Sequence, residues 1–304
     1  MISCFPISHT YPVEAQLLRT FVAVARLGSF SAAAAELGYT QAAVSQQIAA
    51  LENDLKTRLL SRRPVTPTES GARLLEHAEP ILLRMDAART DITRMTKTPS
   101  ATLIVGVTPL AGATPALGTA LSNLRHQIPR LDILVQTGNR RETVAAVARG
   151  ELDLALTDGL TAPGDPLPEL APVTAIGLTQ ESVKIVLPNG HPLAGRRSLH
   201  LRDLADSRWI AADNVAPLEE IRRHAGVEGF RPALRYTGTD VMSLINLAAQ
   251  GHGLTLLPET VLRDRGVTAV QVDTPRLCHR MELIHTALPN RSPAATLALL
   301  LSQR

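Results

Sequence analysis

Residues 28–52 read GSFSAAAAELGYTQAAVSQQIAALE, and no other stretch of the chain constrains its fold as tightly. Ser31 and the Ala-rich run behind it predict a short helix through Leu37, because Ala has the highest helix propensity and Ser caps a first turn well. Gly38 accepts a left-handed backbone without steric cost, which ends that helix and turns the chain. Thr40 caps a second helix to about Glu52, where Val44, Ile48 and Leu51 fall at i, i+4, i+7 and form one apolar stripe. A preceding helix over about 14–26 offers Leu17 or Leu18, Phe21 and Val24 or Ala25 to the same core, with Phe30 at the corner. This is the pattern of a helix-turn-helix, which lays its second helix in the DNA major groove.

The outward face of that second helix carries Gln41, Ala42, Ser45, Gln46 and Ala49. Gln hydrogen-bonds adenine edges, Ser reaches bases or phosphate, and an Ala methyl suits a thymine methyl. An ordinary helical hairpin shows the same stripe, so the flanks decide. Downstream, four of the eight residues 56–63 are basic, and Pro64 and Pro67 impose an extended segment. A basic hairpin after such a helix reads either as a wing gripping phosphate, through Arg58, Arg62 and Arg63, or as a solvated loop.

Taken together, Leu17, Phe21, Gly28-Ser29-Phe30, Ala33-Ala34, Leu37, Thr40-Gln41, Val44-Ser45, Ile48, Leu51-Glu52, Leu55, Arg62, Thr68 and Gly71 resemble the N-terminal domain of LysR-type transcriptional regulators. The resemblance implies a winged helix-turn-helix over 13–71, with Ser31, Thr40, Gln41, Ala42, Ser45, Gln46, Arg58, Arg62 and Arg63 as candidate DNA contacts. Lys56 departs from the family's usual Gly and Leu60 from its usual Phe. The interval from Arg62 to Thr68 is about two residues shorter than usual, which points to a clipped wing. Ala42 and Gln46 replace the usual Pro or Ser and the usual Arg, which bears on which bases are read.

Charge adds a constraint. The net charge is only +3, and residues 13–70 hold six Lys/Arg against five Asp/Glu, so electrostatic affinity per protomer is modest and pairing of protomers is expected. A helix over about 69–96 supplies a seam for it: Leu74, Ala78, Ile81, Met85, Ala88, Ile92 and Met95 alternate in steps of four and three. The same stripe also fits a helix packed on its own domain. In the resembling family this linker helix forms the dimer. Pro80 inside it predicts a bend or a restart. Residues 72–100 are read as dimerisation helix plus hinge, the hinge at 96–102.

From Leu103 strands and helices alternate, LIVGV first, as in a doubly wound α/β sheet. The runs Gly150-x-Leu152-Asp153-Leu154-Ala155, Leu187-Pro188 with His191-Pro192-Leu193, and Gly251-x-Gly253-Leu254-x-x-Leu257-Pro258 are similar to motifs of LysR-type effector domains. The resemblance implies a two-lobed fold over 101–304, placed here as lobe one at 101–161 with 267–304 and lobe two at 162–266, the loop 161–172 serving as a crossover. Ligands of such folds sit between lobes beyond the carboxyl ends of strands, where helix N-termini favour an anion. Thr108, Thr137, Ala211, Asp213 and Thr239 are the candidate effector contacts. Each is also an ordinary cap or turn residue.

The expected partners are promoter or operator DNA, a small-molecule effector with an anion favoured, RNA polymerase if the chain activates, and other copies forming a homodimer that assembles to a homotetramer. Two rival readings are a DNA-binding regulator whose effector domain only oligomerises, and a solute-binding protein. No catalytic motif, metal motif or cofactor fingerprint is present, so no catalytic residue, metal or cofactor is assigned. Cys4 and Cys278 are isolated thiols. Residues 1–12 lack a signal peptide's basic start and apolar run, and no membrane span is expected, so the chain is placed in the cytoplasm, at the nucleoid when DNA-bound.

Overall fold

A computed structural model describes residues 14–96, 102–263 and 265–303 of the 304-residue chain. The 1–12 extension, the 97–101 part of the hinge, Cys4 and the Met95 side chain lie outside the described residues. The chain divides into two compact units between Arg89 and Thr90.

The first unit is built on α1 (Ala15–Leu27), α2 (Phe30–Leu37), α3 (Gln41–Asp54) and most of α4 (Glu69–Thr96). Phe21, Val24, Ala33, Val44, Ile48 and Leu51 are buried in one core, each large apolar side chain contributing about 1.5–3 kcal/mol. Gly28 and Gly38, both left-handed, close α1 and α2. The cap of α2 differs from the expectation. Ser29, not Ser31, adopts the extended cap conformation and accepts the Ala32 N–H at 3.2 Å, because the helix already begins at Phe30. Thr40 caps α3 by accepting the Ala43 N–H.

Pro80 neither breaks nor restarts α4, which runs through it as one helix of 28 residues. The ring removes the hydrogen bond that an N–H at this position would have made. Leu74 and Leu75 pack into the first unit's own core and Ala78 is fully buried, so the N-terminal part of the expected seam serves its own protomer. Ile81 (46% exposed), Ala88 and Ile92 face outward on the rest of it, and Met85 is half-buried.

The second unit is a mixed α/β fold. Strands β1 (Thr102–Val107), β2 (Asp132–Thr137) and β3 (Leu154–Thr161) are parallel neighbours, wrapped by α5 (Pro109–Gly112), α6 (Pro115–Gln127), α7 (Arg140–Ala148) and the C-terminal α11 (Pro293–Ser302). Strand β4 (Thr174–Leu187) is 14 residues long and reaches well beyond its apolar end at 183–187. Its first half pairs with β10 (Cys278–His285), which lies antiparallel between β3 and β4. Its second half pairs with β8 (Thr255–Pro258) and β9 (Thr268–Thr274), and β9 carries β5 (Ser198–His200). A separate ribbon joins β6 (Trp209–Ala211) to β7 (Pro232–Arg235), flanked by α8 (Leu218–Ala225), α9 (Val241–Ala249) and α10 (Glu259–Leu262).

Two corrections follow for the lobes. Strand β9 was expected in lobe one with 267–304. It instead pairs with β4 and β5, and its Val270 and Val272 sit in the same core as Trp209 and Phe230. Nor is the loop at 161–172 the crossover between lobes, which is carried by β4 passing from β10 to β8 and β9. The loop lies against lobe one, where the Leu167 N–H donates to Glu282. No described helix is long and apolar enough to cross a membrane.

Candidate functional site

In the first unit, Gln41, Ala42 and Gln46 are exposed on α3 and Ser45 is half-buried beside them. Gln41 Nε2 donates to Ser45 Oγ at 2.9 Å, so the two polar side chains hold one another in register along the face. On the opposite side, Thr20 of α1 donates to Gln47 at 2.5 Å and fixes the roll of α3 on its support. Ser31 is exposed on α2 and Thr40 at the start of α3.

The wing is tied back to α3 by Glu52. Its Oε1 accepts the backbone N–H of Leu59 at 2.9 Å and of Leu60 at 3.2 Å. Leu60 then bridges Pro67, and Ser61 donates to Thr66 across the hairpin. Lys56 sits at φ 50, the left-handed region, which explains why the family favours Gly there. Arg62 lies over the Phe30 ring at 5.0 Å and within 3.8 Å of Glu52, so it braces the wing against α2 and α3. Arg58 and Arg63 are exposed, and among the described residues neither is in an ion pair. Arg19 and Arg26 are committed, to Asp86 and Glu36. The positive surface beside α3 is thereby reduced to Lys56, Arg58 and Arg63, with Arg62 partly neutralised.

In the second unit, the expected effector contacts do not converge. Thr108, at the end of β1, and Asp213, after β6, line one small cavity of about 40 Å³, room for a few waters. Arg140, Asp158, Glu220 and His279 line it too. Arg140, Gly159, Leu160, Asp213, Pro217 and Glu220 continue from it into an open groove of about 700 Å³. Thr137 and Thr239 face a different groove with Met242 and Arg265. Ala211 is buried, and its carbonyl accepts the Tyr236 N–H in the lobe-two ribbon, so its role is structural.

Thr108 is not a free donor. Its hydroxyl donates to Asp158 Oδ1, which also accepts the Ala111 N–H. Asp158 Oδ2 faces His279 Nε2 at 2.9 Å, and His279 Nδ1 is 3.7 Å from Glu181, which accepts both N–H and Oγ1–H of Thr260. A chain of polar groups, buried at Asp158 and His279 and half-buried at Glu181 and Thr260, thus links α5 in lobe one to α10 in lobe two. Burial opposes charge on His279, but Asp158 and Glu181 overcome it and raise its pKa to about 9. Burial pushes the Glu181 carboxyl up, and His279 and Thr260 outweigh it, holding that group below its usual range. The anion site expected at Thr108 is therefore filled by the protein's own carboxylate.

A second cluster flanks it. Glu282, on β10, accepts from Arg280 Nε at 2.6 Å and lies 3.8 Å from Arg140. Arg140 Nη2 donates to the Pro168 carbonyl. Glu220 of α8 accepts the Leu160 N–H and His224 Nε2 meets the Leu160 carbonyl, so lobe two's helix is strapped to lobe one's strand. Burial raises the Glu220 carboxyl against the opposing pull of the Leu160 N–H and Arg223, and burial lowers the Arg140 guanidinium against Glu282. Sequence reading missed Asp158, His279, Glu282, Arg140 and Glu220. The signal for the first three was a charged or titratable side chain inside an apolar strand, LALTDGL and CHRMELIH.

Over residues 15–72 the chain matches the family described as "Bacterial regulatory helix-turn-helix protein, lysR family", and over 96–301 the one described as "LysR substrate binding domain". It is 32% identical over 259 residues to a "Probable hydrogen peroxide-inducible genes activator" of Mycobacterium avium, covering 83% of this chain and 80% of that protein. The "HTH-type transcriptional regulator CysL" of Bacillus subtilis is 27% identical over 279 residues, covering 90% and 91%. The solved structure of a cysteine mutant of Corynebacterium glutamicum OxyR aligns at TM-score 0.51 and 26% identity, covering 97% of this chain and 94% of that one.

Proposed function

Since this chain belongs to the LysR family of bacterial transcriptional regulators, with a DNA-binding domain and an effector-binding domain, we propose that α3 selects bases through Gln41, Ala42, Ser45 and Gln46 and that the interlobe cavity takes the effector. The observation that carries the second half is a cavity walled by both lobes, Thr108 and Arg140 on one side and Asp213 and Glu220 on the other. A ligand held there changes the free energy of one lobe arrangement relative to another, and operator binding or promoter activation shifts with it. The chain acts as a regulator and not as an enzyme, in the cytoplasm, and contacts RNA polymerase if it activates.

Ser45→Glu tests the reading face. A carboxylate at the duplex is repelled by phosphate and cannot donate the hydrogen bond that the present hydroxyl can. Operator affinity by fluorescence anisotropy falls by about tenfold or more, a loss of the size of one base contact, with the melting midpoint unchanged. Unchanged affinity removes this face from the interface.

Pairing rests on the outward part of α4 and supplies affinity that the near-neutral domain lacks; a homotetramer then spans two such pairs. Ile81→Lys places a charge on that stripe, and light scattering of the full chain then reports a smaller assembly. An assembly of the same size rules out Ile81 as an interface residue.

The mycobacterial relative is named an activator of hydrogen peroxide-inducible genes, and Cys278 is not placed as a thiol sensor in this chain. That thiol is buried, donates to the Thr161 carbonyl, and is pushed up by burial, whereas a sensor cysteine needs an accessible thiolate.

A further inference from the structure

We propose that the ligand of the interlobe site is a small zwitterion of amino-acid type, its carboxylate on Arg140 and its ammonium on Glu220 and Asp213. This rests on the cavity being the effector site.

The unfilled valences of the site point to that chemistry. Glu282 pairs closely with Arg280 at 2.6 Å and only at 3.8 Å with Arg140, so the Arg140 guanidinium lacks a hydrogen-bonded carboxylate. Arg140 Nε is buried with no hydrogen-bond partner, while Nη2 is spent on Pro168. A buried donor left unmade is costly, and a guanidinium takes carboxylates through the edge that carries Nε. On the facing wall the deficit has the opposite sign. Among the described residues, neither Glu220 nor Asp213 has a cation within 4.0 Å, and Glu220 has the Leu160 N–H as its hydrogen-bond donor. Burial destabilises both charged forms, Glu220 and Arg140 alike, and one ligand bearing both opposite charges relieves both.

A simple anion is disfavoured at the inner end. The Thr108 hydroxyl and the Ala111 N–H already serve Asp158, and a second carboxylate there faces that one. A simple cation is disfavoured by Arg140 itself. Space agrees with a charged head group and a variable tail. The inner cavity of about 40 Å³ opens, over residues shared by both, into the groove of about 700 Å³ beside Leu167 and Leu170.

The test is isothermal titration of the full-length protein with the twenty standard L-amino acids, their N-acetyl derivatives, their amides and the matching 2-oxo acids, with succinate and putrescine as non-zwitterionic probes. At least one amino acid binds, and its N-acetyl derivative and amide bind about tenfold or more weakly, the size of one charge-assisted contact. Glu220→Gln, which keeps an acceptor for the Leu160 N–H, weakens the amino acid and leaves its 2-oxo acid unchanged. Arg140→Gln weakens both. The proposal is overturned if no amino acid binds or if the N-acetyl or 2-oxo form binds as tightly. If succinate, putrescine or a 2-oxo acid binds instead and Glu220→Gln or Arg140→Gln abolishes it, the cavity remains the effector site and only the zwitterion is lost. If no probe binds or alters operator affinity, both fall and an effector domain that only oligomerises is the better account.

Discussion

Gly71→Ala destabilises the winged-helix unit by about 3 kcal/mol and abolishes operator binding under conditions where the parent protein binds. A Cβ built at Gly71 comes within 2.0 Å of the Leu59 carbonyl oxygen, a backbone atom that no rotamer change removes. Neither strand nor helix can retreat cheaply. Thr68 N–H donates to that same Leu59 oxygen at 2.9 Å, Thr68 Oγ1 donates to Arg58 O at 2.7 Å, and Thr68 Oγ1 in turn accepts the Gly71 N–H at 3.1 Å. The start of α4 is thus pressed onto the base of the wing, and separating them moves Arg58 and Arg63 away from α3. Gly38→Ala is the control. It has φ +70 but nothing within 4 Å of the added methyl, so it costs only the left-handed strain of about 1–2 kcal/mol. Urea unfolding of the full chain followed by circular dichroism, together with operator anisotropy, separates the two. Equal losses for both variants remove the close contact as the cause.

His279→Leu costs about 3–5 kcal/mol in the second unit, the usual penalty for removing one partner of a buried charge pair. Asp158 and Glu181 are left facing each other's field from β3 and β4, with the neutral donors of Thr108, Ala111 and Thr260 on them and the Arg140 guanidinium near Asp158 as a partial offset. The same pair makes stability depend on pH. His279 has a pKa of about 9 in the folded chain, above the value of about 6.5 for an unperturbed imidazole. Its contribution is complete below pH ~6.5 and is lost as pH rises through 9, about 3 kcal/mol in all. Denaturation midpoints of the second unit therefore fall between pH 6.5 and 9 in the parent and stay flat over that window in His279→Leu. A parent whose midpoint rises over the same window has a neutral imidazole at that position, and the bridge between α5 and α10 is then not ionic.

Local chemistry made the first unit legible in the sequence. Helix α1 announces itself by an apolar stripe and a closing glycine, α2 by a cap and a closing glycine, and α3 by a cap and an apolar stripe, all signals local in the chain. One slip, Ser31 for Ser29 as the cap of α2, came from two serines two apart. Only the backbone at 29, extended at ψ 125, distinguishes them. The second unit was legible as strands and helices but not as pairings. The first half of β4, TAIGLTQES, has polar residues, a glycine and no apolar alternation, and it becomes a strand because β10 supplies its partner. Strand β9 joins lobe two because it pairs with the apolar end of β4, Lys184–Leu187, a partnership that no window around 268–274 contains. The cavity was the least legible part. Asp158 and His279 are 121 residues apart, and their partnership is made by the register of β10 on β3.

Footprinting decides whether two copies of α3 read DNA as a pair. The full-length protein is used to select fragments from its own genome, and the bound fragments are mapped by nuclease protection. Paired recognition helices protect two similar half-sites on one face of the duplex, their centres separated by a whole number of helical turns of about 10 base pairs. Ser45→Glu loses both footprints while melting at the parent's temperature. Footprints that share no repeated half-site, or that persist in Ser45→Glu, contradict paired reading by α3.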